Sequence, residues 1–211
     1  MFYIFASSFA VGFSGAMMPG SLLTYTIRQA LSNGPRAGFV IIFGHAILEI
    51  SLLFLIFLGF DLFLQSEGAQ IGIGLLGGLF LAKMGLDMIL GATRNQINVT
   101  VEEGGANDRR MVLSGILISA SNPYFLLWWA VIGLGFVMKS FELFGYLGVI
   151  LFFLGHILSD LTWYVFVSTL VGKTRRFLSQ KTYRTVIMVL GAMLIFFGGT
   201  FLYGAAVKLL I

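Results

Sequence analysis

Gly44-His45-Ala46-Ile47-Leu48-Glu49 and Gly155-His156-Ile157-Leu158-Ser159-Asp160 decide how this chain folds. Both read Gly-His-x-x-x-acid, together they use both histidines of the protein, and each lies inside a long apolar run. Four-residue spacing puts each histidine and its acid on one helix face. Ionisable residues are costly at membrane depth unless they face protein or water. Two such pairs in separate apolar runs predict a helical membrane bundle with a polar centre where they meet. A histidine titrating near neutral pH beside a carboxylate suits proton carriage. The plainer use is a hydrogen bond that locks helix packing.

Composition agrees with a lipid environment. Hydrophobic residues make up 58 % of the 211 and charged residues 10 %, against roughly 25 % charged in an average soluble chain. With no cysteine, disulfides, thiolate metal sites and thiol redox chemistry are excluded, and two histidines are too few for a histidine cage. The net charge of +4 is no nucleic-acid signature, because the basic residues sit between apolar runs. No charged side chain precedes Arg28, so the start reads as a retained span and not as a cleaved signal.

A bilayer core takes about 20 apolar residues per helix. Six runs qualify: Phe2–Ile27, Ala37–Phe60, Ala69–Ala92, Met111–Met138, Phe141–Gly172 and Thr185–Leu209. Three intervening loops carry Arg28 and Arg36; Arg94, Arg109 and Arg110; and Lys173, Arg175, Arg176, Lys181 and Arg184. The opposite side has only Lys139 and Lys208. Basic loops stay in the cytoplasm, so both termini are expected outside. The polar segment 93–110 then links two three-span halves, 1–92 and 111–211. Asn98-Val99-Thr100 matches a glycosylation sequon by chance on that side.

The halves resemble each other. Pro19-Gly20 in the first span matches Asn122-Pro123 in the fourth, using two of only three prolines. Gly77 and Gly85 in the third span answer Gly191 and Gly199 in the sixth. Three spans is an odd number, so the second half enters the membrane from the other side. The expected fold is an all-α integral membrane protein of six spans in two inverted-topology repeats, with helices 1 and 4 broken. Many secondary transporters use this arrangement and bind cargo at such breaks. Proline opens the helix by removing a donor and clashing one turn back, and freed backbone needs a polar partner in lipid. A lone proline would only kink its helix; a matched pair points to a binding site. Pro19, Gly20, Ser21, Asn122, Pro123, Ser121 and Ser14 are the candidates to touch cargo, with Ser119 nearby. His45, Glu49, His156 and Asp160 are the candidates to carry protons. Lys83 and Asp87 are expected to pair with each other, facing the bundle beside the site. Trp128, Trp129, Trp163 and Tyr164 read as gating residues or as lipid-facing packing.

Met18-Pro19-Gly20, Gly34-Pro35-Arg36-Ala37-Gly38 and Ser121-Asn122-Pro123 resemble the lysine exporter (LysE/RhtB) superfamily, over nearly the whole chain. Ser21 stands where that family usually has a second proline. The Gly-His-x-x-x-acid repeats look more like a poorly characterised branch of LysE family transporters. The resemblance implies an exporter in a prokaryotic inner membrane, driven by the proton gradient, carrying an amino acid or related small metabolite without cofactor. It also implies, commonly, a homodimer.

Two other readings compete. Efflux of a divalent cation would use His45, Glu49, His156, Asp160 and Asp87 as nitrogen and oxygen ligands. An intramembrane serine protease would use Ser14 in Gly12-Phe13-Ser14-Gly15 with His156 as base. The protease reading leaves the repeat and both proline breaks unexplained.

Overall fold

The computed structural model describes residues 1–60, 62–63, 66–94, 106–174 and 179–210. Most of the 93–110 linker, with Asn98-Val99-Thr100, and Arg175 and Arg176 lie outside them. The described residues are helical throughout, without strands. Helix α1 (Phe2–Ala16) ends before Pro19-Gly20, and α2 (Ser21–Asn33) leaves at 83° to it. Helix α3 (Arg36–Leu55) runs on through a π-helical turn, Ile56–Phe60. Helix α4 (Glu67–Thr93) is followed by α5 (Asp108–Ala120), which stops at Ser121-Asn122. There α6 (Pro123–Trp128) begins with proline in its first turn and Asn122 Oδ1 capping Tyr124 N, the position where proline's missing donor costs nothing. A π-helical turn, Trp129–Gly133, leads into α7 (Leu134–Thr174), and α8 (Gln180–Leu210) closes the bundle.

Among the described residues, four helical stretches are long and apolar enough to cross a membrane, or five if α1 and α2 form one bent span. One of these, Tyr124–Thr174, has 51 residues. Unbroken it would measure about 76 Å, over twice the roughly 30 Å of a bilayer core. It is not continuous: Phe144 and Gly145 leave helical geometry, and Gly145 has φ 57 and ψ −146. Gly34, before α3, has φ 60 and ψ −146. These left-handed values favour glycine, so the same hinge precedes both Gly-His-x-x-x-acid helices.

Other contacts also come in pairs. On α3, Gly44 lies against the backbone of Val112 on α5; on α7, Gly155 lies against Phe5 and Ser8 on α1. A Cβ at either glycine would strike a backbone carbonyl. Helices α4 and α8 meet along a glycine seam, Gly78 on Gly198 and Gly85 on Gly191. Of the glycines matched in the sequence, Gly85 and Gly191 lie in this seam, whereas Gly78 and Gly198 take the places of Gly77 and Gly199, and Gly199 faces open space. Small residues let backbones approach where the hydrophobic effect cannot drive association. Two apolar clusters fill the bundle, one around Ile41, Ala30 and Ile187, the other around Trp129, Phe152 and Val137.

Leucine at position 44 or 155 should therefore disrupt folding, at about 3 kcal/mol as a strong case of overpacking, while Gly199→Leu should be tolerated. Yield of monodisperse protein in detergent, followed by thermal unfolding, checks both.

Candidate functional site

Between the two apolar clusters the paired motifs converge. One turn apart on α3, His45 and Glu49 face His156 and Asp160, one turn apart on α7, and all four are buried. Their strongest contact runs between the motifs: His156 Nε2 lies 2.8 Å from Glu49 Oε1. His45 Nε2 lies 3.2 Å from the same oxygen and 3.7 Å from Asp160 Oδ2, and His156 Nε2 is 3.5 Å from Asp160 Oδ2. Trp129 Nε1 donates to Glu49 Oε1 at 3.3 Å. Ser119, at the end of α5, sits 2.7 Å from His45 Nδ1. Glu49, only 1 % exposed, is the common acceptor of the cluster.

Aromatic rings fix the imidazoles. Trp128 stacks on His156 with centroids 4.6 Å apart, and Phe152 lies parallel to it at 5.9 Å. Phe125 meets His45 edge-on at 5.4 Å. Such faces attract a cationic imidazole electrostatically. Gly12 makes room on the remaining side, since a Cβ there would come within 3.0 Å of His156 Nδ1.

Polar capacity is left over. Glu49 Oε2, Asp160 Oδ2 and His156 Nδ1 are buried without a hydrogen-bond partner, and buried polar groups left unpaired call for a physical explanation. A chamber of about 50 Å³ lies beside them, lined also by Gly20, Asn122, Ser119, Tyr124 and Tyr164, with room for guests the size of water. Among the described residues, His45, Glu49 and Asp160 each offer a ligand atom within 4.8 Å of one another, a spacing a divalent cation can use.

The sequence candidates divide. His45, Glu49, His156, Asp160, Gly20 and Asn122 line the chamber, and Gly20 approaches the Asn122 side chain, so the two helix breaks meet. Pro19, Ser21 and the backbone turn at Pro123 flank it. Ser121 is exposed and bonds Ile118 O. Ser14 donates to Val11 O and accepts from Trp128 Nε1 at 3.1 Å, and its carbonyl accepts from Tyr124 OH. No hydrogen bond joins Ser14 to His156, so the protease pair is not assembled. Lys83 and Asp87 face outward, contrary to the bundle-facing expectation: their side chains are 78 % and 64 % exposed and 3.9 Å apart. Their helix turns its glycine seam inward, and the pair lies on the opposite face. Sequence reasoning left the aromatics undecided between gate and lipid; Trp128, Trp129 and Tyr164 are buried against the chamber. For Trp128 and Trp129 the sequence signal is their position shortly after Asn122-Pro123; for Tyr164 it is the four-residue step from Asp160.

The family model of the LysE type translocator matches residues 13–205. The chain is 26 % identical over 204 residues to the Chemotactic transduction protein ChpE of Pseudomonas aeruginosa, covering 97 % of this chain and 100 % of that one. It is 25 % identical over 209 residues to the Putative amino acid efflux protein YcgF of Bacillus subtilis, covering 98 % and 99 %. No solved structure matches.

Truncating Glu49 to alanine strands two imidazoles and an indole donor, which should cost about 3–5 kcal/mol. Glu49→Gln keeps an acceptor oxygen and should cost clearly less. Thermal unfolding in detergent separates the two.

Proposed function

The chain belongs to the LysE type translocator family, multi-pass membrane transporters, and from that premise we propose that it exports an amino acid or related small polar metabolite in exchange for protons. The observation that carries the proposal is the convergence of His45, Glu49, His156 and Asp160 beside the two helix breaks. The YcgF relative, named for amino acid efflux, supports the cargo class.

In this reading the chain crosses a prokaryotic inner membrane six times, with both termini outside. Residues 1–92 and 111–211 form inverted repeats joined by the cytoplasmic segment 93–110. The paired contacts support this: α3 on α5 against α7 on α1, and Gly78 on Gly198 against Gly85 on Gly191. The hinge dihedrals shared by Gly34 and Gly145 support it too. The broken span α5–α6 then runs to Phe144, and the remainder of α7 is the fifth span.

A zwitterion has two handles, and the chamber, once the helices part to widen it beyond its present water-sized space, offers a partner to each. Its ammonium suits Asp160 Oδ2, which makes no hydrogen bond although both imidazoles lie near it. Its carboxylate suits the amino end of α2, where Gly20 provides no side-chain cap, since free amides at a helix start attract anions. Ser21 Oγ, buried and unpartnered, stands at that end. Pro19 and Pro123 mark the breaks, and Ser14 braces the wall through Tyr124 and Trp128.

Coupling requires that the inward-open and outward-open states bind protons with different affinity. The histidine–carboxylate cluster is suited to this, because rearranging α3 against α7 changes which carboxylate each imidazole faces. The apolar clusters on either side of the chamber act as alternate plugs.

Proteoliposomes loaded with a panel of amino acids, under an imposed pH gradient, should release one class of them. Release of a divalent cation instead would move the cargo to metal, which the ligand spacing of His45, Glu49 and Asp160 also accommodates. Glu49→Gln and Asp160→Asn should each abolish gradient-driven efflux while retaining part of cargo–cargo exchange. Normal pumping by both variants defeats the coupling role.

Opening the wall beside Ser14 should matter as well. Ser14→Ala removes the acceptor for Trp128, worth about 1 kcal/mol, and should raise passive cargo leak through a chamber otherwise sealed by Tyr124 and Trp128. A leak equal to wild type refutes the bracing role.

A further inference from the structure

The wall that closes the chamber has a second side. Tyr124 and Trp128 line the chamber, and both also line a cleft of about 360 Å³ between α6 and the α4–α8 pair. The clefts beside Lys139, Phe63 and Phe39 have no residue in common with the chamber. At the inner end of the shared cleft, Tyr124 stacks on Phe201 with centroids 6.0 Å apart. At its rim, Lys208 Nζ donates to Gln70 Oε1. Phe201 and Lys208 are seven residues apart on α8, about 10 Å of helical rise. Gly204 lies between them, and a Cβ there would meet nothing.

The partition between cleft and chamber is pinned at one point. Tyr124 OH donates to the Ser14 carbonyl and Trp128 Nε1 to the Ser14 hydroxyl. Trp128 also stacks on His156, so the ring that separates the two spaces touches the histidine–carboxylate cluster directly. On the membrane placement proposed above, α4 starts outside and α8 ends outside. The cleft then rises from chamber depth toward the extracytoplasmic face, between mostly apolar walls, and ends at an ammonium and an amide.

We propose that this cleft is the outer vestibule by which cargo leaves, and that Lys208 with Gln70 forms a second site in it, for a carboxylate. Once Tyr124 and Trp128 part, the cargo carboxylate exchanges the chamber for the Lys208 ammonium, which Gln70 holds at the rim. An exposed ion pair is weak, as release requires. The proposal rests on the exporter reading and its membrane placement, and adds to it a route and an outer site.

The chain has no cysteine, so single ones report on the cleft without any cargo. In right-side-out membrane vesicles, Thr200→Cys should react with a membrane-impermeant thiosulfonate, because a thiol ionises and reacts where water reaches it. Phe196→Cys, exposed one turn earlier on α8 and outside the cleft, should not. At Gly204→Cys, one turn from Lys208, adding Lys208→Gln should slow an anionic sulfonatoethyl reagent about threefold and spare a cationic trimethylammonium one; Lys208→Arg should keep the wild-type rates. Gly204→Leu fits open space, so its thermal unfolding should match wild type while efflux of the amino acid identified by the proteoliposome panel is lost. An unreactive Thr200→Cys, the result of a lipid-filled cleft, overturns the vestibule. Reagent rates indifferent to Lys208 overturn the carboxylate site, and normal efflux by Gly204→Leu overturns the route. Efflux with an unreactive Thr200→Cys defeats the vestibule alone, whereas charge-selective labelling without efflux of any amino acid defeats the exporter reading and leaves the anion site.

Discussion

Four ionisable side chains that share a buried site must neutralise one another, and the rest of this molecule is arranged around that requirement. Removing charges from water costs several kcal/mol each, recovered only when geometry and hydrogen bonding are good. Glu49 meets the requirement by accepting from His156 and Trp129 and lying close to His45. Asp160 is left with an oxygen to spare. A cluster neutralised this way, yet not saturated, is stable and still able to take a proton or a guest.

Bringing α3 and α7 close enough for those contacts depends on residues without chemistry of their own. Gly44 and Gly155 let each motif helix settle on the backbone of α5 or α1. Gly34 and Gly145 set the same left-handed hinge in front of each. The bends at Met17–Gly20 and Ser121–Asn122 turn α1 and α5 away so that α2 and α6 reach the chamber. Without these, two amphipathic pairs would face lipid and the bundle would not close.

Glycine contacts recur in pairs across the scaffold, and the chamber departs from that pairing. The start of α6 is capped by Asn122, whereas the start of α2 has no side-chain cap. Trp128 and Trp129 wall one side of the chamber only. Lys83 and Asp87 have no charged equivalents in α8. These differences leave the two sides of the chamber chemically unlike.

Local periodicity carried much of this in the sequence alone. Apolar runs dictate membrane helices, a four-residue step fixes which side chains share a face, and proline dictates where a helix must open; none of these needs a partner. Which face meets which is a different kind of fact. The Glu49–His156 contact between motifs, the Trp128 and Trp129 walls and the outward turn of Lys83–Asp87 follow from how closely each pair of helices packs. In lipid that is decided by small residues and hydrogen bonds between segments far apart in the chain. Ser14 shows the difference in one residue: its glycine-serine setting resembles a nucleophile, and only its neighbours in space, Tyr124 and Trp128, make it a brace.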